Sequence, residues 1–322
     1  MEPAGGADIF DQLNCYLQMK VPIGIAITLL LFVPMMIPAQ YYYYNEKYYD
    51  SDLLFEFGTS AGAMNCLTDL GGKKGIGKRF IKDLNLRNTK LCFSAFGMIM
   101  YRNVLGIRLQ GTVGKVSAYD SILKDVGPTT FLRYERNLSF RSSITELHLG
   151  IEIHPIYFKE WDEPPRFSPY VMAGIGYFHF NPEAELNGDW HALQPLHTEG
   201  QGFRQVPGRK EYNLYEINFP LGVGLKYELS PIISTRLELI YRILNTDYLD
   251  DVSTSYTEPN LFFQNLSPQQ ASLAQQLSDR QSEKIPLHIT VPGQGRGNPK
   301  DNDSFFSIEL KIGITFRKKR NT

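Results

Sequence analysis

The sequence predicts an all-β fold: a closed antiparallel transmembrane β-barrel of about eight strands, with a plugged interior and long extracellular loops. Three observations predict it. Apolar and polar residues alternate over stretches of about eleven residues or more, the length of a tilted strand that crosses hydrocarbon. Apart from Lys115 near the end of the third stretch, the apolar face carries no charge, while the other is rich in Gly, Arg and Glu. The connections alternate short and long, as periplasmic turns and outer loops do. A soluble sandwich also alternates, but its solvated face has no reason to hold so many glycines. A Lys or Arg on a lipid-facing midplane costs ~2–4 kcal/mol, which explains the uncharged face.

The chain has 322 residues, a formal net charge of −1 and a mean hydropathy of −0.25. That balance does not mark a nucleic-acid binder, and it argues against a helical membrane protein. One long uncharged run, Val21 to Ala39, follows Met19-Lys20 and reads as a secretory signal peptide cleaved before Gln40. A membrane anchor is the rival reading, but Pro22, Pro34 and Pro38 interrupt a helix there. Residues 1–18 are acidic and read as an over-extended start. Residues 40–50 form a Tyr-rich lead, residues 51–317 the barrel, and residues 318–322 a basic periplasmic tail.

Strands are expected at 53–65, 91–102, 105–116, 145–154, 169–180, 214–228, 234–244 and 306–316. The last shows the pattern best: Phe306, Ile308, Leu310, Ile312, Ile314 and Phe316 alternate with Ser307, Glu309, Lys311, Gly313 and Thr315. Both termini then lie in the periplasm. In the longest loop, Ser267 as N-cap, Pro268 and Gln270 predict a helix over 268–282, with Leu273 and Leu277 facing the rim or a partner.

The inward parity carries Glu56, Glu146, Glu152, Glu216, Glu238 and Glu309 against Arg102, Arg108, Lys226, Arg236, Arg242 and Lys311. Charges confined in a narrow lumen persist only when paired. They are expected to form an ion-pair network that plugs the barrel; a narrow ion path is the functional alternative. Cys66 and Cys92 flank the first long loop with inward parity and are candidates for a disulfide.

Other motifs point to chemistry more weakly. "GKKGIGKR" at 72–79 falls one residue short of a phosphate-binding loop, with Arg79 where Ser or Thr is needed. It sits in a basic outer loop suited to lipid phosphates. His179, His191 and His197, with Ser253 and Ser255, are the residues a lipid hydrolase would use, but no motif spacing links them. Asp247, Asp250 and Asp251 are acids a calcium ion would accept, without EF-hand spacing. No catalytic residue, cofactor or metal is assigned.

"NLSFRSSITEL" at 137–147, "SPYVMAGIGYFHFNP" at 168–182, "TEGQG" at 198–202 and "TDYLDDVSTSY" at 246–256 occur in that order. In this the chain resembles the PorG-like outer-membrane barrels of the type IX secretion machinery of Bacteroidota, over roughly residues 51–316. The basic first loop and residues 257–303 depart from the family. The resemblance implies a non-enzymatic component of a secretion and gliding apparatus, in contact with a periplasmic ring lipoprotein and its partner. Contact residues would then be Lys159, Glu160, Trp161 and Asp162 of the charged 157–167 turn, with Arg317, Lys318, Lys319 and Arg320 of the tail. Trp161 also suits an interfacial belt. A small porin-like channel and, less well supported, a lipid-modifying barrel are the alternative functions.

Overall fold

A strand pattern with one oily and one polar face must close on itself in hydrocarbon, because an open edge leaves backbone groups unpaired. The structure, a computed structural model, describes residues 52–72, 85–124, 130–159 and 165–317. The expected signal peptide, the Tyr-rich lead and the tail from Lys318 lie outside the described residues, as does most of the phosphate-loop-like stretch.

Ten strands are present among the described residues: β1 (Leu53–Leu67), β2 (Lys90–Tyr101), β3 (Leu105–Tyr119), β4 (Ser139–Ile153), β5 (Phe167–His179), β6 (Pro182–Leu186), β7 (Asp189–Ala192), β8 (Tyr215–Glu228), β9 (Ile233–Leu244) and β10 (Ser304–Arg317). Eight of them form the barrel, in the order β3-β2-β1-β10-β9-β8-β5-β4, and β3 pairs with β4 to close it. Every pair is antiparallel. The first and last strands meet with Phe55 opposite Phe316.

Parity decides what lies outside. Leu310, Ile312 and Ile314 of β10, Leu147, Leu149 and Ile151 of β4, and Leu221 and Val223 of β8 are exposed. At one end of this band Phe167 packs on Tyr227 at 4.6 Å and Phe57 on Phe316 at 6.2 Å. At the other, Tyr215 stacks on Tyr177 at 5.8 Å and meets His179 at 4.6 Å. The stretch of β5 between its two girdle positions spans roughly 25 Å when tilted, the height of an outer-membrane apolar band.

Inside, glycines leave room for large side chains. A Cβ on Gly224 would strike the Tyr170 ring, and one on Gly313 would strike the Glu56 carboxylate. This accounts for the glycines of the polar face: a narrow lumen holds big groups only opposite absent ones.

Two tight turns, 102–104 and 229–232, and the longer 154–166 connection, an exception to the short-turn pattern, lie at one end; 68–89, 120–138, 180–214 and 245–303 lie at the other. The described parts of the long loops fold on themselves. An unanticipated hairpin, β6–β7, turns at Asn187-Gly188, both with positive φ (56° and 93°), and extends the sheet beside β4. Helices α1 (Phe131–Arg136), α2 (Pro259–Asn265) and α3 (Pro268–Ser278) follow. The Ser267 hydroxyl caps α3 by accepting from the Gln270 amide. The helix stops four residues before the expected end because Asp279 turns extended and its carboxylate accepts from the Gln281 amide. Leu277 and Leu273 pack with Phe203, Phe262 and Leu193 into a cap core.

Placing Arg at position 310 should cost about 2–4 kcal/mol in reversible folding into liposomes. A urea titration showing no loss for Leu310→Arg would mean that water, not lipid, covers this face.

Candidate functional site: the filled lumen and the cap above it

The lumen is the candidate site, because alternation sends nearly every strand polar group there. Five acids and five bases form one alternating chain. Lys226 reaches Glu56 at 3.4 Å, and Arg236 joins Glu56 at 2.7 Å to Glu152. Arg108 links Glu152 at 3.0 Å to Glu238, and Lys311 lies 2.6 Å from Glu238 and 3.4 Å from Glu309. Arg242 completes the chain between Glu309 at 3.7 Å and Glu146 at 3.0 Å. Hydroxyls and amides satisfy remaining lone pairs: Ser60, Ser94, Ser307 and Gln110 donate to Glu309, and Asn218 to Glu146. All ten charged residues are buried.

Two expected members are absent. Arg102 falls in the tight turn after β2 with positive φ, points into solvent and pairs with Asp52 at 3.0 Å. Glu216 keeps inward parity but sits at the long-loop end of β8, above the chain. It is half-buried and makes no ion pair among the described residues.

Above the charges lies a layer that parity did not reveal. Met64, Cys66, Cys92, Phe140, Ile144, Phe178, Phe180, Leu249 and Phe305 close the long-loop end of the lumen. The Phe178 ring stands 5.4 Å from Phe180 and 5.7 Å from Phe305. The two cysteines belong to this layer and both are free thiols, so the disulfide is not formed. The register explains it: Cys92 pairs with Gly62, four residues along β1 from Cys66. That is roughly 13 Å, twice the reach of a disulfide.

The cap over this layer is tied by the residues that carried the family resemblance. Glu199, of "TEGQG", accepts from the amides of Ser253 and Thr254 at 3.0 and 2.9 Å, from the Thr254 hydroxyl and from Arg296. Asp251, of "TDYLDDVSTSY", accepts from Tyr212 at 2.7 Å and from Thr198. Arg296 also donates to the carbonyls of Asp251 and Ser278. These are internal ties between loops.

The weaker candidates do not converge. His179 rests against Tyr215 on the outer face, His191 lies on β7, and His197 packs against Phe203. Among the described residues no hydrogen bond joins them to Ser253 or Ser255; the Ser255 hydroxyl instead accepts from Arg209. No three His, Cys, Asp or Glu side chains among the described residues are placed to hold a metal. Of the partner-contact residues, Lys159 is exposed at the short-connection end, and Arg317 ends β10. Glu160, Trp161, Asp162 and Lys318 to Arg320 lie outside the described residues.

One constellation escaped the sequence. The His154 ring meets Ser168 Oγ at 2.7 Å through Nδ1 and Glu152 at 2.7 Å through Nε2. It has the connectivity of an acid–base–nucleophile relay. Ser168, however, is only 1% exposed and Glu152 is committed to two arginines, so no substrate meets the hydroxyl. The Glu152-x-His154 spacing was legible; Ser168, from the neighbouring strand, required the register.

A closed barrel with an oily outside and an ion-paired inside is a transmembrane β-barrel. No family model and no curated protein matches the chain. Several solved structures resemble it. The Neisserial surface protein A structure is 9% identical, covering 82% of this chain and 97% of its own, with a TM-score of 0.37. The outer membrane protein OprG of Pseudomonas aeruginosa is 11% identical, covering 83% and 97%, at 0.33. A major outer membrane protein of Thermus thermophilus is 15% identical, covering 81% and 99%, at 0.33. The barrel assignment itself rests on this chain's own strand pairing and parity.

Glu152→Ala strips Arg108 and Arg236 of a shared partner and should destabilise by about 3–5 kcal/mol. Glu216→Ala, outside the chain, should stay within about 0.5 kcal/mol. Equal urea midpoints for the two variants would show that the network does not hold the barrel.

Proposed function

We propose that the protein is a non-enzymatic outer-membrane anchor with both termini in the periplasm and the long loops outside. It would serve as a component of a type IX-like secretion and gliding complex that contacts a periplasmic ring lipoprotein. The observation that carries the anchoring role is the filled lumen. A continuous chain of ion pairs fills its lower part and an aromatic layer closes its upper end, which suits a rigid holder better than a conduit. The orientation follows the outer-membrane rule of short periplasmic turns. The secretion role draws its support from the ordered sequence motifs, and the basic first loop suits the phosphates of lipopolysaccharide. Its ring-facing surface would be the 157–167 turn and the Arg317–Arg320 tail.

The competing porin-like reading separates cleanly. Purified barrel in planar bilayers should carry no steady current, and gentle detergent extraction of the tagged protein should recover the ring lipoprotein. A stable open conductance would favour the channel; extraction without ring components would remove the secretion role while leaving the barrel intact.

A further inference from the structure

The cap holds a second group of acids that the ion-pair chain does not use. Asp69 follows β1, Asp247 and Asp250 follow β9, and Asp303 precedes β10, so three chain segments bring four carboxylates to the rim. All but Asp69 are buried outright. They act as stitches. Asp69 accepts from the Asn298 amide at 2.6 Å, Asp250 from the Leu70 amide at 3.2 Å and the Val252 amide at 2.9 Å, and Asp303 from the Leu249 amide at 2.9 Å. Asp247 faces Ser253, yet neither of its buried oxygens receives a hydrogen bond.

Among the described residues the positive charge nearby is committed elsewhere. Arg136 is held by Asp120 at 2.8 and 3.0 Å and by the carbonyls of Asp69 and Arg296. Arg133 reaches the Gly72 carbonyl. Arg296 serves Glu199 and lies 3.9 Å from Asp251. Among the described residues none of the four aspartates makes an ion pair. Glu199, which also faces them, adds negative charge. Four carboxylates cannot all stay ionised in a closed space without compensation.

We propose that the cap is a proton-dependent latch: Asp69, Asp247, Asp250 and Asp303 share protons while it is closed, and their ionisation drives apart the segments they stitch. Burial first, and then the neighbouring carboxylates, lift these groups above the usual Asp range: Asp247 to about 9, Asp250 to about 8, Asp303 well above it, and Asp69 in the same direction. For an acid raised in the folded state the unfolded state releases its proton first. The cap's stability is therefore full below about pH 4 and falls as pH climbs toward about 9. What opens is the apolar layer beneath, where Cys66 is buried.

Cys66 reports the latch. Cys15→Ser/Cys92→Ala leaves it the one cysteine of the chain. Its labelling by a maleimide-polyethylene glycol, in the folded barrel relative to the same chain in denaturant, gives a protection factor free of the thiol's own titration. Protection should fall roughly tenfold or more between about pH 6 and 9.5. It should hold within about threefold in Asp247→Asn/Asp250→Asn, with Asp303→Asn as a second variant and heat-modifiable migration checking the fold. Constant protection in the parent, or an equal fall in variants that fold, overturns the proposal. Protection restored at high pH by calcium and stripped at low pH by a chelator overturns it too, in favour of a bound cation.

Discussion

Everything in this barrel depends on hydrocarbon accepting no charge. Once one face of every strand is given to lipid, each polar strand residue is sent into a lumen that eight strands make too narrow for bulk water. Charges there are tolerable only if each meets its opposite. The alternating chain from Lys226 to Glu146 meets that demand: every acid touches one or two bases, and the hydroxyls of Ser60, Ser94 and Ser307 cover lone pairs left over. The glycines belong to the same solution, since Tyr170 and Glu56 occupy space that a methyl group on Gly224 or Gly313 would take.

The molecule changes character along its axis. Ion pairs run through the half near the short connections beside a buried cluster of Leu54, Phe96, Met98 and Met100, a second apolar layer closes the half near the long loops, and acids gather above. The apolar layer separates the lower charges from the cap, and the cap's own buried acids therefore settle their charge locally. That separation is why the lumen reads as a rigid filling and the cap as the responsive part.

The motifs most specific to the family resemblance turn out to be architectural. Glu199 and Asp251 point inward, and Arg296, from the loop segment that departs from the family, joins them. Residues that knit loops together preserve a cap shape without being contact residues themselves.

How much of this was legible in the sequence follows from range. The eight strands, the closed fold, the lipid-facing rows and the members of the charged chain from Lys226 to Glu146 were readable, because period-two alternation is local and hydrocarbon enforces it strictly. The β6–β7 hairpin carries its turn signal at Asn187-Gly188, but its strands are too short for alternation to show. Arg102 and Glu216 misled because parity persists past the point where a strand turns or leaves the band. Cys66 with Cys92, and Ser168 with His154, depend on how far one strand is slid along its neighbour. The meeting of Asp69, Asp247, Asp250 and Asp303 depends on loops folding back across nearly the whole chain. Sequence determined which side of the wall each residue faces, since that is set one residue at a time; only tertiary structure decided which residues meet there, because register and loop return are properties of the closed barrel.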